Sequence, residues 1–278
     1  MSGFDKDILK QNLHTHTSLC KHAEGSVRDY CAAALNSGIE VLGISDHNPM
    51  PGDRWISIRM SQDQLCGYAE AIEDARKEFA PEMRVIAGLE CDYVPEYLDF
   101  YRRKFLDEYG FEYLIGGLHL FYHAGQWQSC YLALDSRAAL RAYTEQYVEM
   151  LGNDMFAFAA HPDLFAFGWF EWDNYTIGCA REILTAAQES GKPLEINGFG
   201  TIKNMVDDPA GPRPPYPLPQ FWQLAAEYDI TAVINSDAHS PDNITAGMTD
   251  CLDIAQKYGL RRAKLEDMIK PADEQNSL

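Results

Sequence analysis

Seven short apolar runs, separated by stretches with helical spacing, most limit what this chain can fold into. The runs lack the polar alternation of a half-exposed strand, which is typical of strands that are covered on both faces. Strand and helix patterns that alternate about seven times indicate an α/β fold with a parallel sheet, either closed or open. The runs lie near residues 11–13, 41–45, 84–89, 113–117, 155–160, 193–196 and 231–235.

The segments between the runs carry the usual helix signals. Ser26–Asp29 and Ser61–Gln64 resemble capping boxes at helix starts. Glycines stand where helices should end, because glycine adopts the left-handed conformation of a helix C-cap without strain. These glycines are Gly38, Gly152, Gly191 and Gly259.

The length of 278 residues suits one α/β barrel, so we expect a single domain over residues 1–278. The proline-rich segment 204–219 is expected to be a surface loop inside that domain, since proline fits neither a helix interior nor a central strand. No stretch approaches 18 uninterrupted apolar residues, and the first 11 residues are mostly polar. We therefore predict no membrane segment and a cytoplasmic location.

Charge narrows the range of partners. The chain has 23 basic and 42 acidic residues, a net charge of −19, which argues against nucleic acid as a partner. A small phosphorylated substrate remains compatible, because bound divalent cations would reverse the sign of the charge locally. Seven scattered cysteines without a C-x-x-C pair indicate free thiols.

Almost every apolar run is followed by a side chain that can bind a metal. In a strand, residues two apart point the same way, so His14 with His16, and Asp237 with His239, should aim together. The carboxyl ends of parallel strands open on one face of a barrel, so these groups should converge there. A lone histidine at a strand end is more often structural, but seven of the eight histidines fit this pattern and only His123 does not. Imidazole and carboxylate together suit Zn²⁺, Fe²⁺ or Mn²⁺.

Taken in chain order, the metal-binding side chains that follow the apolar runs resemble the ligand pattern of the PHP (polymerase and histidinol phosphatase) family. The resemblance runs from about residue 12 to residue 240 and implies a distorted (β/α)₇ TIM-like barrel, with two or three divalent ions at the strand C-terminal face. It further implies that Glu90 bridges two ions. The nine matching positions are His14, His16, His22, His47, Glu90, His119, His161, Asp237 and His239.

The resemblance also implies how the ligands divide among three ions. One ion would be bound by His14, His16, Glu90 and Asp237. The second would be shared by Glu90 and bound by His119 and His161 as well. The third would be bound by His22, His47 and His239.

Within the family, the segments around Asp46-His47-Asn48-Pro49 and Leu194-Glu195-Ile196-Asn197 resemble the histidinol-phosphatase group. This implies hydrolysis of L-histidinol phosphate. That group tends to carry basic residues after the histidine of the fifth strand, whereas residues 164–170 here are aromatic and uncharged. A PHP phosphoesterase for another small phosphate ester, such as a sugar or nucleotide monophosphate, is therefore the alternative.

Further roles follow from side-chain chemistry. Glu90 and Asp237 are expected to be catalytic through the metals, and Asp163 to orient His161 or protonate the leaving group. Asp46 and Asp92 are expected to fix histidine tautomers. Arginine is the natural residue for a bidentate contact with phosphate, and the candidates are Arg54, Arg59 and, first among them, Arg213 among its rigid prolines.

Other functional classes fit less well. A metal-dependent amidohydrolase on a similar barrel usually relies on a bridging lysine, and no lysine ends a predicted strand here. A metal-binding or regulatory module without turnover would not need so complete a ligand set. Neither a G-x-x-x-x-G-K-[ST] loop nor a G-x-S-x-G elbow is present. The identity of the metal and the oligomeric state stay open.

Overall fold

The computed structural model describes residues 5–269. Eight parallel strands form one curled sheet, and two further strands form a separate antiparallel hairpin. The sheet contains β1 (Gln11–Asn12), β2 (Val41–Ile44), β3 (Arg84–Asp92), β4 (Tyr113–Gly117), β7 (Phe158–Ala159), β8 (Leu194–Asn197), β9 (Thr231–Asn235) and β10 (Arg261–Arg262), in that order. The hairpin consists of β5 (Leu120–His123) and β6 (Gln126–Ser129).

Helices follow most of the strands. Both predicted capping boxes are confirmed, at Ser26 before α1 and at Ser61 before the turn that leads into α2. Gly191 and Gly259 end their helices in the left-handed conformation, as predicted. The helices are α1 (Val27–Asn36), α2 (Leu65–Phe79), α3 (Leu98–Tyr101), α4 (Cys130–Ala133), α5 (Arg137–Leu151), α6 (Asn174–Ser190), α7 (Phe199–Ile202), α8 (Pro219–Ala225), α9 (Met248–Tyr258) and α10 (Leu265–Met268), with a π-helical stretch at Arg102–Glu108.

The sheet curls until its first and ninth strands meet at one end. Thr15, just after β1, forms a parallel bridge with Ala238, just after β9, and the amide of His16 donates to the carbonyl of Ala238 at 2.9 Å. At the amino-terminal end of β9, its first two residues pair with β10. The predicted distorted (β/α)₇ barrel is confirmed in its seven strands, and the bridge brings the residues after β1 beside those after β9.

Two features were missed from the sequence. The strand β10 has only two residues, both arginines, so no apolar run announces it. The hairpin of β5 and β6 is largely part-exposed, and its residues do not form a continuous apolar run. That all of residues 1–278 form a single domain stays a prediction.

Tyr113 fills the barrel interior below the strand C-terminal ends. Its ring lies so close to Gly43 and Gly88 that a Cβ atom on either glycine would come within 2.3 Å of a tyrosine atom. The Tyr113 hydroxyl donates to the carbonyl of Leu13 at 2.6 Å. The interior of the barrel is therefore packed at the level of Tyr113, below the strand C-terminal face.

Among residues 5–269, none of the helices has both the length and the apolar character needed to span a membrane.

Candidate metal centre

Glu90, near the end of β3, lies at the centre of the predicted ligands. Its Oε2 atom is 3.3 Å from Nε2 of His14, 3.3 Å from Nε2 of His16 and 3.0 Å from Nδ1 of His47. Its Oε1 atom is 3.2 Å from Nε2 of His161 and 3.5 Å from that of His119. The two oxygens of one carboxylate thus face two different groups of imidazoles, which is the arrangement that a bridging ligand requires.

Asp237 and His239 complete the cluster from the other side. Oδ1 of Asp237 lies 3.1 Å from Nε2 of His16 and 3.5 Å from Nε2 of His14. The ring of His239 stacks on that of His16 with centroids 4.5 Å apart. The ring of His22 lies 5.0 Å from that of His239 and 5.3 Å from that of His47. The structure therefore brings all nine predicted side chains to one place.

The grouping around a third ion differs in part from the one that the resemblance implies. His14, His16 and Asp237 do offer atoms that all lie within 4.8 Å of one another, as expected. However, the ligand atoms of His47 and His239 lie within 4.8 Å of one another and of His16. The ligand atom of His22 lies within the same distance of those of His239 and Cys20. The thiol of Cys20, one of the seven scattered cysteines, is buried and borders this part of the cluster.

These side chains fit divalent ions. Several buried polar atoms of the cluster have no hydrogen-bond partner, and an unsatisfied buried polar atom is costly unless an ion takes the partner's place. Two ligand atoms on a tetrahedral zinc ion lie roughly 3.4 Å apart, and the contacts to Glu90 fall between 3.0 and 3.5 Å. The atoms without partners are Nε2 of His14, both ring nitrogens of His16, Nδ1 of His47, Nδ1 of His161 and Oδ1 of Asp237.

The surroundings leave Nε2 available on four of the histidines. Nδ1 of His14 is held by Oε1 of Glu195 at 2.8 Å, and Nδ1 of His119 by Oδ1 of Asp92 at 3.1 Å. Nδ1 of His22 contacts the backbone carbonyl of Cys20, and Nδ1 of His239 contacts that of Asp237. Nδ1 is the donor in these contacts, so the lone pair of Nε2 is free to bind a metal.

The charges of the cluster are strongly coupled. Burial alone would raise the pKa of Glu90, but the imidazoles of His119, His14 and His47 hold it well below its usual value. Asp237 behaves in the same way, because nearby histidines outweigh the effect of burial on its pKa. Both carboxylates are therefore ionised at neutral pH and available as ligands.

Two of the site residues have unusual backbones. His161 has φ of 31° and Asp237 has φ of 51°, in the left-handed region that non-glycine residues rarely adopt. Such conformations cost about 1–3 kcal/mol each and persist where the surroundings enforce them. Each occurs just after a short strand, where it turns the side chain toward Glu90 or His16.

A cavity of about 440 Å³ opens beside the cluster. Part of its lining consists of the candidate ligands His22, His47, Glu90, His119, Asp237 and His239, together with Asp92. The rest of the lining is mostly apolar, and the size of the cavity suits a small organic molecule. The remaining lining residues are Ile58, Arg59, Leu120, Ser129, Tyr131, Leu132, Phe167, Phe199 and Lys203.

The comparison with known proteins agrees with this geometry. The sequence profile of the PHP domain matches residues 12–198. The chain belongs to the PHP family. A protein named "Probable histidinol-phosphatase" from Deinococcus radiodurans is 31% identical over 263 residues, covering 89% of this chain and 93% of that protein. The histidinol-phosphatase of Bacillus subtilis is 26% identical over 85% of this PHP chain and 96% of its own length.

A solved structure shares the fold. It is the histidinol phosphate phosphatase of Lactococcus lactis, complexed with zinc, L-histidinol and phosphate. Its TM-score to this PHP chain is 0.70 with 19% sequence identity, and the match covers 93% of this chain and 97% of the other. At this identity the likeness speaks for the fold alone.

The predicted phosphate-binding arginines need correction. Arg213 does not line the cavity of this PHP chain, because its guanidinium bonds to Asp208 and to the carbonyls of Ala166, Pro214 and Pro215. Those contacts fix the proline-rich loop. The guanidinium of Arg213 is therefore used within the protein and does not face the cavity.

The other two arginines are also engaged. Arg54 lies outside the cavity, where it bonds to Glu96 and Tyr97 and stacks over Trp55 at 4.3 Å. Arg59 does line the cavity, but it is 1% exposed and donates to Oδ2 of Asp92 at 2.6 Å. Its contact supports the aspartate that holds His119, so it acts on the centre through Asp92.

Asp163 and Asp46 also differ from expectation. Asp163 is buried away from the cavity, and its Oδ2 accepts from the amide of Leu218 at 2.5 Å and from the indole of Trp222 at 2.9 Å. It therefore anchors the segment before α8. Asp46 accepts from the backbone and hydroxyl of Thr17, so it fixes the turn after His16 and forms no hydrogen bond to a histidine ring.

Glu195 and Lys203 were missed as site residues. Glu195 lies inside the buried strand β8, two residues before its end at Asn197, and a carboxylate in a buried strand was a usable signal. Lys203 follows the short helix α7, and no strand pattern could have placed it in the cavity.

Proposed function

We propose that this PHP chain is a metal-dependent phosphomonoesterase. One observation carries the proposal: the carboxylate of Glu90 stands between two groups of imidazoles, directly beside a cavity of small-molecule size. The nine residues of the cluster would hold two or three divalent ions. When bound, such ions would supply Lewis acidity and positive charge opposite the phosphoryl oxygens.

The chain's own residues set the conditions for this chemistry. Glu90 and Asp237 bring ionised carboxylates into a buried place, and Glu195 and Asp92 fix the tautomers of His14 and His119. A site that is held in place before the substrate arrives needs little reorganisation during the reaction. The apolar wall limits the water around the reacting group.

The first candidate substrate is L-histidinol phosphate, whose hydrolysis gives L-histidinol and phosphate. Support comes from the two named histidinol-phosphatases, of which one is 31% identical along nearly the whole chain. The related fold that was solved with zinc, L-histidinol and phosphate adds to this support. On this proposal the protein takes part in histidine biosynthesis.

A different small phosphate ester is the second candidate, and the cavity gives a specific reason. Histidinol carries an ammonium group, which a free carboxylate would normally bind. Among the described lining residues, the acidic ones are Glu90, Asp92 and Asp237. Glu90 and Asp237 belong to the metal cluster, and Asp92 is paired with Arg59. The rest of the lining includes Leu132, Phe167 and Phe199, which favours an uncharged leaving group.

A panel of phosphate esters tests both candidates. With protein loaded with zinc or manganese, histidinol phosphate should exceed sugar and nucleotide monophosphates by more than tenfold in kcat/KM. A neutral aromatic ester that wins by that margin would favour the second candidate. Hydrolysis of none of them would refute the proposed function.

Glu90→Ala tests the bridging position. Loss of a ligand shared by two groups of histidines should abolish turnover and lower the bound metal from at least two equivalents, while the circular-dichroism spectrum stays that of the wild type. Glu189→Ala, on the exposed side of α6, is the matched control and should behave as wild type. Wild-type turnover by Glu90→Ala would show that the bridging role is wrong.

A further inference from the structure

Two cationic side chains line the described cavity, and they differ in how their charge is balanced. Arg59 is paired with Asp92, at an N–O distance of 2.6 Å. Lys203 has no carboxylate within salt-bridge distance and no hydrogen-bond acceptor for Nζ among residues 5–269. A cation on the cavity wall without a counter-ion is therefore available to a ligand.

A buried lysine elsewhere in the fold shows the contrast. Lys192 donates from Nζ to the carbonyl of Phe156 at 2.5 Å, so its charge has a fixed partner inside the protein. The exposed Lys10 and the part-buried Lys104 pair with Glu40 and Glu108. Lys203 is partly buried with two aromatic rings beside Nζ, and burial lowers its pKa although the charge of the Asp237 carboxylate, beyond salt-bridge distance, acts in the opposite direction.

Two aromatic rings hold the ammonium group in place. Nζ lies 4.0 Å from the ring centroid of Phe199 and 5.7 Å from that of Tyr131, both of which line the cavity. The ring of Phe199 also stacks on the imidazole of His239, with centroids 4.3 Å apart and planes within 8°. Through Phe199, the ammonium is thus positioned relative to the metal cluster.

We propose that Lys203 binds the phosphoryl group of the substrate beside the metal cluster, and that Phe199 is its positioning residue. This proposal rests on the proposed function. Cation–π contacts offset only part of the cost of removing an ammonium from water, whereas an anion in the cavity would offset far more.

The other segments around the site do not supply an unpaired cation to the described cavity wall. Residues 164–170, on another side of the site, contain no basic residue, and Phe167 from this segment lines the cavity. Arg54 and Arg213 lie outside the cavity. An anionic substrate that enters it therefore meets Lys203 as the unpaired cation of the described wall.

The experiment measures binding of inorganic phosphate to the metal-loaded protein by titration calorimetry. Lys203→Met should weaken the binding at least tenfold, or about 1.4 kcal/mol, and raise KM for phosphate esters more than it lowers kcat. Lys203→Arg should restore binding to within about threefold of wild type, since it restores the charge. Lys257→Met is the control, because Lys257 also lies over a ring, that of Tyr258, but not in the cavity.

The metal content of every variant is measured alongside. Phosphate binding by Lys203→Met within twofold of wild type would overturn the assignment, as would an arginine variant that binds as weakly as the methionine variant. Should the methionine variant lose its ions, Lys203→Gln takes its place with the same expectations. If wild-type protein binds phosphate through Lys203 but hydrolyses no ester, the proposed function fails and the assignment stands.

Discussion

Replacing Glu195 with glutamine should disturb the metal centre without changing the size of the side chain. The carboxylate accepts from Nδ1 of His14, from the amides of Asn197 and Asn235 at 2.8 Å each, and from the backbone of His161 at 3.3 Å. All four partners are donors, but a glutamine offers only one acceptor oxygen. Its NH₂ group must therefore face two donors, whichever way the amide is turned.

The two orientations of the glutamine amide would weaken the protein in different ways. With the NH₂ group toward His14, Nδ1 must accept and Nε2 must carry the proton, so Nε2 cannot bind a metal. We expect a loss of metal affinity of about 10- to 100-fold, or about 1.4–2.7 kcal/mol. With the NH₂ group toward Asn197 and His161, two buried donors lose their acceptor at about 1–3 kcal/mol each.

The neighbouring amides cannot turn to relieve the conflict. The side-chain oxygen of Asn235 already accepts from the backbone of Leu13 at 2.7 Å, and that of Asn197 from the backbone of Phe199 at 2.9 Å. Turning either amide would break one of these bonds. The cost must therefore appear in metal binding, in stability or in both.

Two measurements check this prediction: zinc content after equilibration with buffered zinc, and urea unfolding of the ion-free protein. Glu189→Gln, on the exposed side of α6, is the control and should match wild type in both. The tautomer argument is refuted if Glu195→Gln keeps its zinc affinity within threefold and its unfolding free energy within about 1 kcal/mol.

Two other predictions concern the charges of the centre. Arg59→Met should lower the unfolding free energy by about 3–5 kcal/mol in urea titrations, because it leaves the buried Asp92 without its cation. A loss below about 1 kcal/mol would contradict the role of this pair. Burial lowers the pKa of His16, but Asp237 and Glu90 outweigh it and raise the pKa to about 9. The pKa of His14 is also raised well above its usual value, by Asp237, Glu195 and Glu90 against the effect of burial. Zinc must then displace at least one proton at pH 7, so its apparent affinity should rise by at least about tenfold per pH unit between pH 7 and 9 in zinc titrations, and a flat profile would count against this.

The sequence predicted the barrel because its seven central strands are covered on both faces and read as continuous apolar runs. It failed for β10 and for the β5–β6 hairpin, which are charged or part-exposed. Alternation within strands also predicted that His14 and His16 would aim together. Pattern reasoning thus works where the backbone is regular and buried.

The roles of side chains beyond the ligand set were harder to predict. Arg213 and Lys203 both lie in the segment after β8, yet only Lys203 lines the cavity. Where such a side chain points depends on the loop backbone and on its local hydrogen bonds, which have no period in the sequence. The same is true of Asp163, which is turned toward Leu218 and Trp222.

The sequence by itself determined which residue types end the strands, and therefore that imidazoles and carboxylates would share one face of the barrel. Only the tertiary structure decided that Glu90 faces both groups of histidines, that Glu195 holds His14, and that Lys203 lacks a counter-ion. The physical reason is that strand periodicity fixes direction over neighbouring residues. Distances between side chains from different strands depend on how the sheet curls and on the left-handed backbones of His161 and Asp237.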